Sequence, residues 1–319
     1  MNADNSKKAY YKTGDLGSFI EKNLPKPLIV ILGLTGSGKT ELSLKLAEYL
    51  MHNFGLAAEI INSDSRQFYK GMDIGTAKIS EEEKKWIPHH LFSVLEPDLP
   101  CSIFWYQKEV TKLIDRIHRR NEIPMLVGGS MLYISSIIDG LVPLPTGSEK
   151  TRLRLEEKYE TDEGVSLHNL LKKIDPVSAD AIPRQNKKYL IRALEICEGT
   201  GQPKSELLKK SKGAYSLFII GTEIKKDDLA LRIKKRTEKM FEDGWTGEVK
   251  KLIDAGYGLS DPGMLSTGYR EIYECLKKGL ESNKEMNNII VQTLKYSKRQ
   301  MTWWKRDLRI RWMLSGQDF

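Results

Sequence analysis

The stretch that decides the fold is LIVILGLTGSGKTELSLKLAEYL, residues 28–50. Its first five residues are apolar and rich in β-branched side chains, which favour a buried strand. Its last eleven place Leu42, Leu46, Ala47 and Leu50 at helical spacing. Between them, Gly33-Leu-Thr-Gly-Ser-Gly38-Lys39-Thr40 matches GxxxxGK[ST] in full. Strand, glycine-rich turn and helix in that order make a phosphate-binding loop. The glycines let backbone N–H groups turn inward, and the helix start adds the positive end of its dipole. Lys39 is then expected to reach a terminal phosphate. The Thr40 hydroxyl is expected to ligate Mg²⁺, with Gly33, Thr35, Gly36, Ser37 and Gly38 completing the cradle.

Working outward, further apolar runs read as strands: EIINSD (59–64), IPMLVGG (123–129) and SLFIIGTEI (216–224). A helix is predicted around 103–120 and a long one over 227–256, ending at Gly256. Apolar strands alternating with helices predict an α/β fold, a P-loop NTPase-like parallel sheet flanked by helices. The Lys-, Glu- and Leu-rich segment 145–212 predicts an inserted helical subdomain. The expected organisation is an N-terminal extension over 1–26 and a core formed by 27–144 and 213–319, with a basic helical tail at its end.

Composition narrows the classes. The 319 residues are 40% hydrophobic and 29% charged, with 51 Lys+Arg against 43 Asp+Glu, a net +8 that suits an anionic partner. No apolar run approaches the roughly 18 residues a membrane-spanning helix needs. The first residues carry acids and lack an apolar stretch, so neither a secretory nor a mitochondrial leader is expected. Three scattered cysteines, Cys101, Cys197 and Cys275, argue against disulfides and structural zinc. The expectation is a reduced, cytoplasmic monomer. His89 and His90 invite a metal reading, but adjacent residues of an extended segment point to opposite sides.

The phosphate loop alone leaves its ligand open. An ordinary NTPase carries an acid at the end of an apolar strand to hold Mg²⁺ through water. Here the 123–129 run ends without one, and the acid is Asp64, at the end of the preceding run. Ends of neighbouring parallel strands open into one crevice, so Asp64 is placed to act on something in front of the phosphates. Arg232 and Arg236, spaced i,i+4, project from one helix face, either into that crevice or into solvent.

The loop, together with IINSDSRQFYKGMDIGTAK (60–78), IPHHLFSVLEPD (87–98) and IPMLVGGSMLYISSIIDGL (123–141), resembles the tRNA dimethylallyltransferase family. NKKYLIRALEICEGTGQP (186–203), STGYREI (266–272) and YSKRQMTWWKR (296–306) extend the resemblance. It implies transfer of a five-carbon isoprenoid from dimethylallyl diphosphate to N6 of the tRNA adenosine on the 3′ side of the anticodon. The loop would then hold a diphosphate leaving group, with Arg236 among its ligands. Asp64 would recognise the amine and act as general base. Lys39, Thr40-bound Mg²⁺ and Arg232 would offset charge on the departing diphosphate. The anticodon stem-loop would meet Asp64, Ser65, Arg66, Gln67 and Ser130, while Arg152, Lys188 and Arg192 of the insertion would touch the stem. Departures occur at Leu34 and Gly36, where relatives commonly have Pro and Ala, at Arg66 for Met, and at Ser130-Met131 for Thr-Gly.

The segment 295–312 carries seven basic residues and one acid, interleaved with Tyr296, Trp303, Trp304 and Trp312. The tryptophans are expected in the core, and Lys298, Arg299 and Gln300 against RNA, as in the family's KRQxTW. Alternatives are a prenyltransferase of free adenine nucleotides, a P-loop small-molecule kinase and an RNA-binding NTPase switch. The insertion and the basic segment favour tRNA.

Overall fold

The computed structural model describes residues 8–12, 14–140, 148–207 and 214–316. Among the described residues seven strands form one sheet: β1 (Ala9–Tyr10), β2 (Pro27–Gly33), β3 (Ala58–Asn62), β4 (His89–His90), β5 (Ile123–Gly128), β6 (Ser216–Glu223) and β7 (Arg311–Leu314). Their order is β1-β7-β6-β2-β5-β3-β4, and every pairing is parallel. The expected α/β fold is therefore present. On β2, Ile29 and Ile31 cluster with Leu42, Leu46 and Leu50 of the helix Lys39–Phe54 and with Ile60, Met125 and Phe218. Leu28, Val30 and Leu32 are equally buried but lie outside that cluster, as side chains alternating across a doubly covered sheet must. Each fully buried Leu or Ile contributes about 1.5–3 kcal/mol.

Both chain ends depart from expectation. Residues 9–10 pair with β7 (Ala9↔Arg311, Tyr10↔Trp312), and the Tyr11 N–H donates to the Trp312 carbonyl at 2.8 Å. The helix Asp15–Glu21 buries Leu16, and Phe19 packs on Phe218 with ring centres 5.2 Å apart. Residues 8–12 and 14–21 of the expected extension thus pack onto the core, while residues 1–7 and 13 lie outside the described set. The basic segment is likewise not all helix. After the helix Met286–Trp304, the chain turns and adds β7 to the sheet. Trp304 and Trp312 are buried, as expected, but Trp303 is 44% exposed.

The predicted 227–256 helix is two, Lys226–Glu242 and Trp245–Asp254, parted at Gly244, whose φ of 97° ends a right-handed helix.

The chain divides into two compact units, Met1–Ile134 with Ala214–Phe319, and Ser135–Gly213. In the second, the helices Glu149–Asp162, Val165–Ile174, Pro176–Ala181 and Lys187–Thr200 enclose Leu155, Leu167, Leu171, Leu190 and Leu194. The expected junctions at 144/145 and 212/213 involve positions outside the described residues. Among the described residues no helix is long and apolar enough to cross a membrane.

Candidate active site

The phosphate loop runs from β2 into the Lys39–Phe54 helix with Gly36 at φ 82° and Gly38 at φ 89°, conformations that favour glycine. Gly33 has φ 151°, and a Cβ there would collide with the Thr222 hydroxyl of β6. The Ser37 hydroxyl donates to the Leu34 carbonyl at 2.7 Å and shares a 2.5 Å hydrogen bond with Thr222. Its side chain is buried and stitches the loop internally. Lys39 Nζ donates to the carbonyls of Leu34 at 2.7 Å and Gly33 at 3.3 Å. Burial lowers the Lys39 pKa to about 8; Asp64 opposes that shift and the Arg236 charge adds to it. Thr40 is exposed, on the lining of the crevice.

Asp64 follows β3 in a turn built by its neighbours. The Asn62 side chain accepts from the Asp64 N–H at 2.8 Å and donates to the Leu91 carbonyl at 2.9 Å. Asp64 Oδ1 accepts from the Arg66 N–H at 3.0 Å, an Asx turn that fixes the carboxylate. Two cavities meet there. One, of about 220 Å³, is lined by the loop residues Thr35, Gly36, Lys39 and Thr40, by Asp64, and by Arg232 and Arg236. The other, of about 360 Å³, shares Thr35, Asp64 and Arg236 and adds Ser65, Arg66, Thr76, Tyr296 and Arg299.

The i,i+4 arginines both line the first cavity. Arg236 Nη2 donates to the Thr76 carbonyl at 3.3 Å; burial lowers its pKa and Asp64 opposes the shift. Arg232 is exposed and donates to the Ser315 hydroxyl at 2.8 Å. The solvated alternative therefore describes only part of Arg232's environment.

The residues expected to meet RNA are sorted by the structure. Ser65 and Arg66 line the second cavity, and Arg66 also donates to the Pro262 carbonyl at 3.2 Å. Ser130 is buried; its hydroxyl accepts from the Ser65 N–H at 3.0 Å, joining the ends of β5 and β3. Gln67 turns inward, its amide donating to the Thr76 and Ala77 carbonyls at 3.1 Å. Gln300 is a correction. It is 1% exposed, accepts from the Thr35 N–H at 3.1 Å and donates to the Gly129 carbonyl at 2.9 Å. It braces the phosphate loop and presents no surface to RNA. Lys298 and Arg299 are exposed, with the Arg299 guanidinium 5.6 Å from the Tyr296 ring centre. Arg152, Lys188 and Arg192 belong to the helical unit, where Arg152 pairs with Glu156 at 3.0 Å and Arg192 with Glu195 at 3.2 Å.

Sequence reasoning missed Thr76, Tyr296 and His89 as lining residues, although all three fall inside the quoted blocks. His89 Nδ1 donates to the Ile87 carbonyl at 2.7 Å, and burial lowers its pKa; His90 Nε2 meets Glu59 at 2.5 Å. Among the described residues no group of three or more His, Cys, Asp or Glu side chains could hold a metal ion.

Residues 67–307 match the family model described as IPP transferase. The chain is 36% identical over 295 residues to the tRNA dimethylallyltransferase of Geobacter sulfurreducens, covering 92% of this chain and 93% of that one. It is 39% identical over 299 residues to that of Carboxydothermus hydrogenoformans, covering 92% and 94%. Among solved structures it resembles a tRNA isopentenylpyrophosphate transferase of Bacillus halodurans, with TM-score 0.67, 35% identity and 92% of each chain covered. A eukaryotic dimethylallyltransferase acting on tRNA gives TM-score 0.78 at 26% identity, covering 91% of this chain and 74% of that one.

Proposed function

The chain belongs to the IPP transferase family, and from that premise we propose that it transfers the dimethylallyl group of dimethylallyl diphosphate to N6 of the adenosine 3′ to the anticodon in tRNA. The observation that carries this reading is the pair of cavities sharing Asp64 and Arg236, one of them opening onto the phosphate loop. A diphosphate in the loop directs the allylic carbon toward Asp64, and an adenine entering the second cavity brings its amine to the same carboxylate. Reaching it requires the base to leave its stack, at a cost of a few kcal/mol.

The amine is a weak nucleophile because its lone pair is delocalised into the ring. Alignment with C1 therefore supplies much of the rate. As the N6–C1 bond forms, the C1–O bond to diphosphate breaks and Asp64 takes the amine proton. Lys39 moves from the Leu34 carbonyl to the departing diphosphate, and Arg232 and Arg236 face the same charge. Thr40 and the diphosphate oxygens would hold Mg²⁺. The exposed Thr40 hydroxyl beside an anion cradle fits that oxygen-seeking ion. Bound there, Mg²⁺ supplies counter-charge to the leaving group. Arg299, on the lining of the acceptor cavity, and the exposed Lys298 supply cations for the anticodon loop, in a protein that acts as a monomer in the cytoplasm.

Incubation with bulk tRNA, Mg²⁺ and either dimethylallyl diphosphate or ATP, followed by nucleoside mass measurement, tests the reading. The expected result is a gain of one isopentenyl group on adenosine with the first donor. Phosphate transfer from ATP, or no product with either donor, overturns it.

A further inference from the structure

The segment Gly71-Met-Asp-Ile-Gly-Thr-Ala-Lys78 is neither helix nor strand; its turn satisfies the N–H groups of Ala77 and Lys78 through the carbonyls of Ile74 and Asp73, and others need partners from elsewhere. Three consecutive ones converge on a single side chain 173–175 positions away. Glu248 Oε2 accepts from the N–H groups of Asp73 and Ile74, each at 2.8 Å, and Oε1 from that of Gly75 at 3.2 Å. The Tyr269 hydroxyl donates to Oε1 at 2.5 Å. Burial, then the Glu248 charge, hold that hydroxyl's pKa well above its usual value, so it stays a donor. Four donors fill a carboxylate's capacity, and bonds to an ionised acceptor are the strong ones.

The held segment borders both cavities. Gly75 and Thr76 line the acceptor side and Ala77 the phosphate side. The Thr76 carbonyl accepts from both Gln67 and Arg236. A Cβ at Gly75 would overlap the Trp245 ring, so the wall is packed as well as bonded.

Building on the prenyl-transfer reading, we infer that Glu248 is a positioning residue: its carboxylate fixes the segment that lines both cavities and, through the Thr76 carbonyl, sets the Arg236 guanidinium beside Asp64. Glu248 touches no substrate; it acts through Arg236. Glu248→Gln keeps the size but turns an N–H donor toward N–H donors.

The test is a double-variant cycle on the full chain. Glu248→Gln should lower kcat/KM for dimethylallyl diphosphate about tenfold and bring unfolding earlier, with tRNA affinity near wild type. In an Arg236→Ala background the same change should cost less than about twofold, because the guanidinium it positions is gone. Losses that multiply in the double variant, or a wild-type rate for Glu248→Gln, overturn the inference. Tyr269→Phe removes one donor and leaves the carboxylate. It should give a smaller loss with the same dependence on Arg236, and it decides the matter if Glu248→Gln does not fold. Wild-type protein without prenyl transfer defeats the underlying reading; active wild type with multiplicative losses defeats only this inference.

Discussion

The phosphate loop and the C-terminal helix Met286–Trp304 each carry a family block, yet they encode their roles differently. In the loop the backbone is the working part, so Gly33, Gly36 and Gly38 have the same meaning wherever the chain places them. In the helix the meaning depends on the face. Lys298 and Arg299 are exposed, whereas Gln300, the next residue, is buried and bonded to Thr35 and Gly129. Tryptophans divide in the same way, Trp303 outward and Trp304 inward. A motif made of backbone conformation can be read locally; a motif made of side chains on a helix can be assigned only after packing is known.

The largest expected effect tests the crevice side of that contrast. Asp64→Asn should slow single-turnover prenyl transfer by about 10²–10⁴-fold while tRNA affinity stays within about threefold. Equal loss of both would make Asp64 a binding or folding residue.

Gln300→Ala tests the helix side. It leaves the Thr35 N–H and the Gly129 carbonyl without their partner, at about 1–3 kcal/mol each. Unfolding should come earlier and the donor KM should rise, while the salt dependence of tRNA binding stays unchanged. A flattened salt slope would put Gln300 back among the RNA contacts.

Lys39 gives a pH signature. Its folded-state pKa of about 8 lies below the ordinary 10.5, so charging it opposes folding. Folding stability from this group should therefore rise between about pH 8 and 10.5, where only the unfolded chain still binds the proton. Activity should run the other way. With the protonated amine needed for diphosphate, kcat/KM for the donor should fall above about pH 8, and Lys39→Arg should remove that limb while lowering the plateau. A flat profile through pH 9 would show that the Lys39 charge is not used.

The smallest effect is at the surface. Lys298→Ala should leave stability unchanged and reduce the log–log salt slope of tRNA binding by about 0.7–0.9, the share of one phosphate contact. An unchanged slope would place Lys298 away from the RNA backbone.

Much of the crevice was legible because its parts are close in sequence or fixed by periodicity. Strand, loop and helix lie within residues 28–50, Asp64 follows the next strand by two residues, and Arg232 and Arg236 share a helix face. The missed parts join distant segments. Residues 9–10 become an edge strand only because β7 is there to pair with them, and β7 is four residues long among charges. The Gly244 break looked like ordinary helix because a single glycine leaves the periodicity on either side intact.

The sequence by itself determined that a phosphate is cradled ahead of a parallel sheet, and its blocks pointed to the family, because glycine geometry and strand–helix periodicity are local properties. Only the tertiary structure decided that residues 9–10 and 311–314 complete the sheet, that Gln300 braces the loop, and that Glu248 holds the backbone of residues 73–75. Those choices rest largely on contacts between residues 171 to 302 positions apart, and no local pattern records which distant donor a carboxylate or an amide will meet.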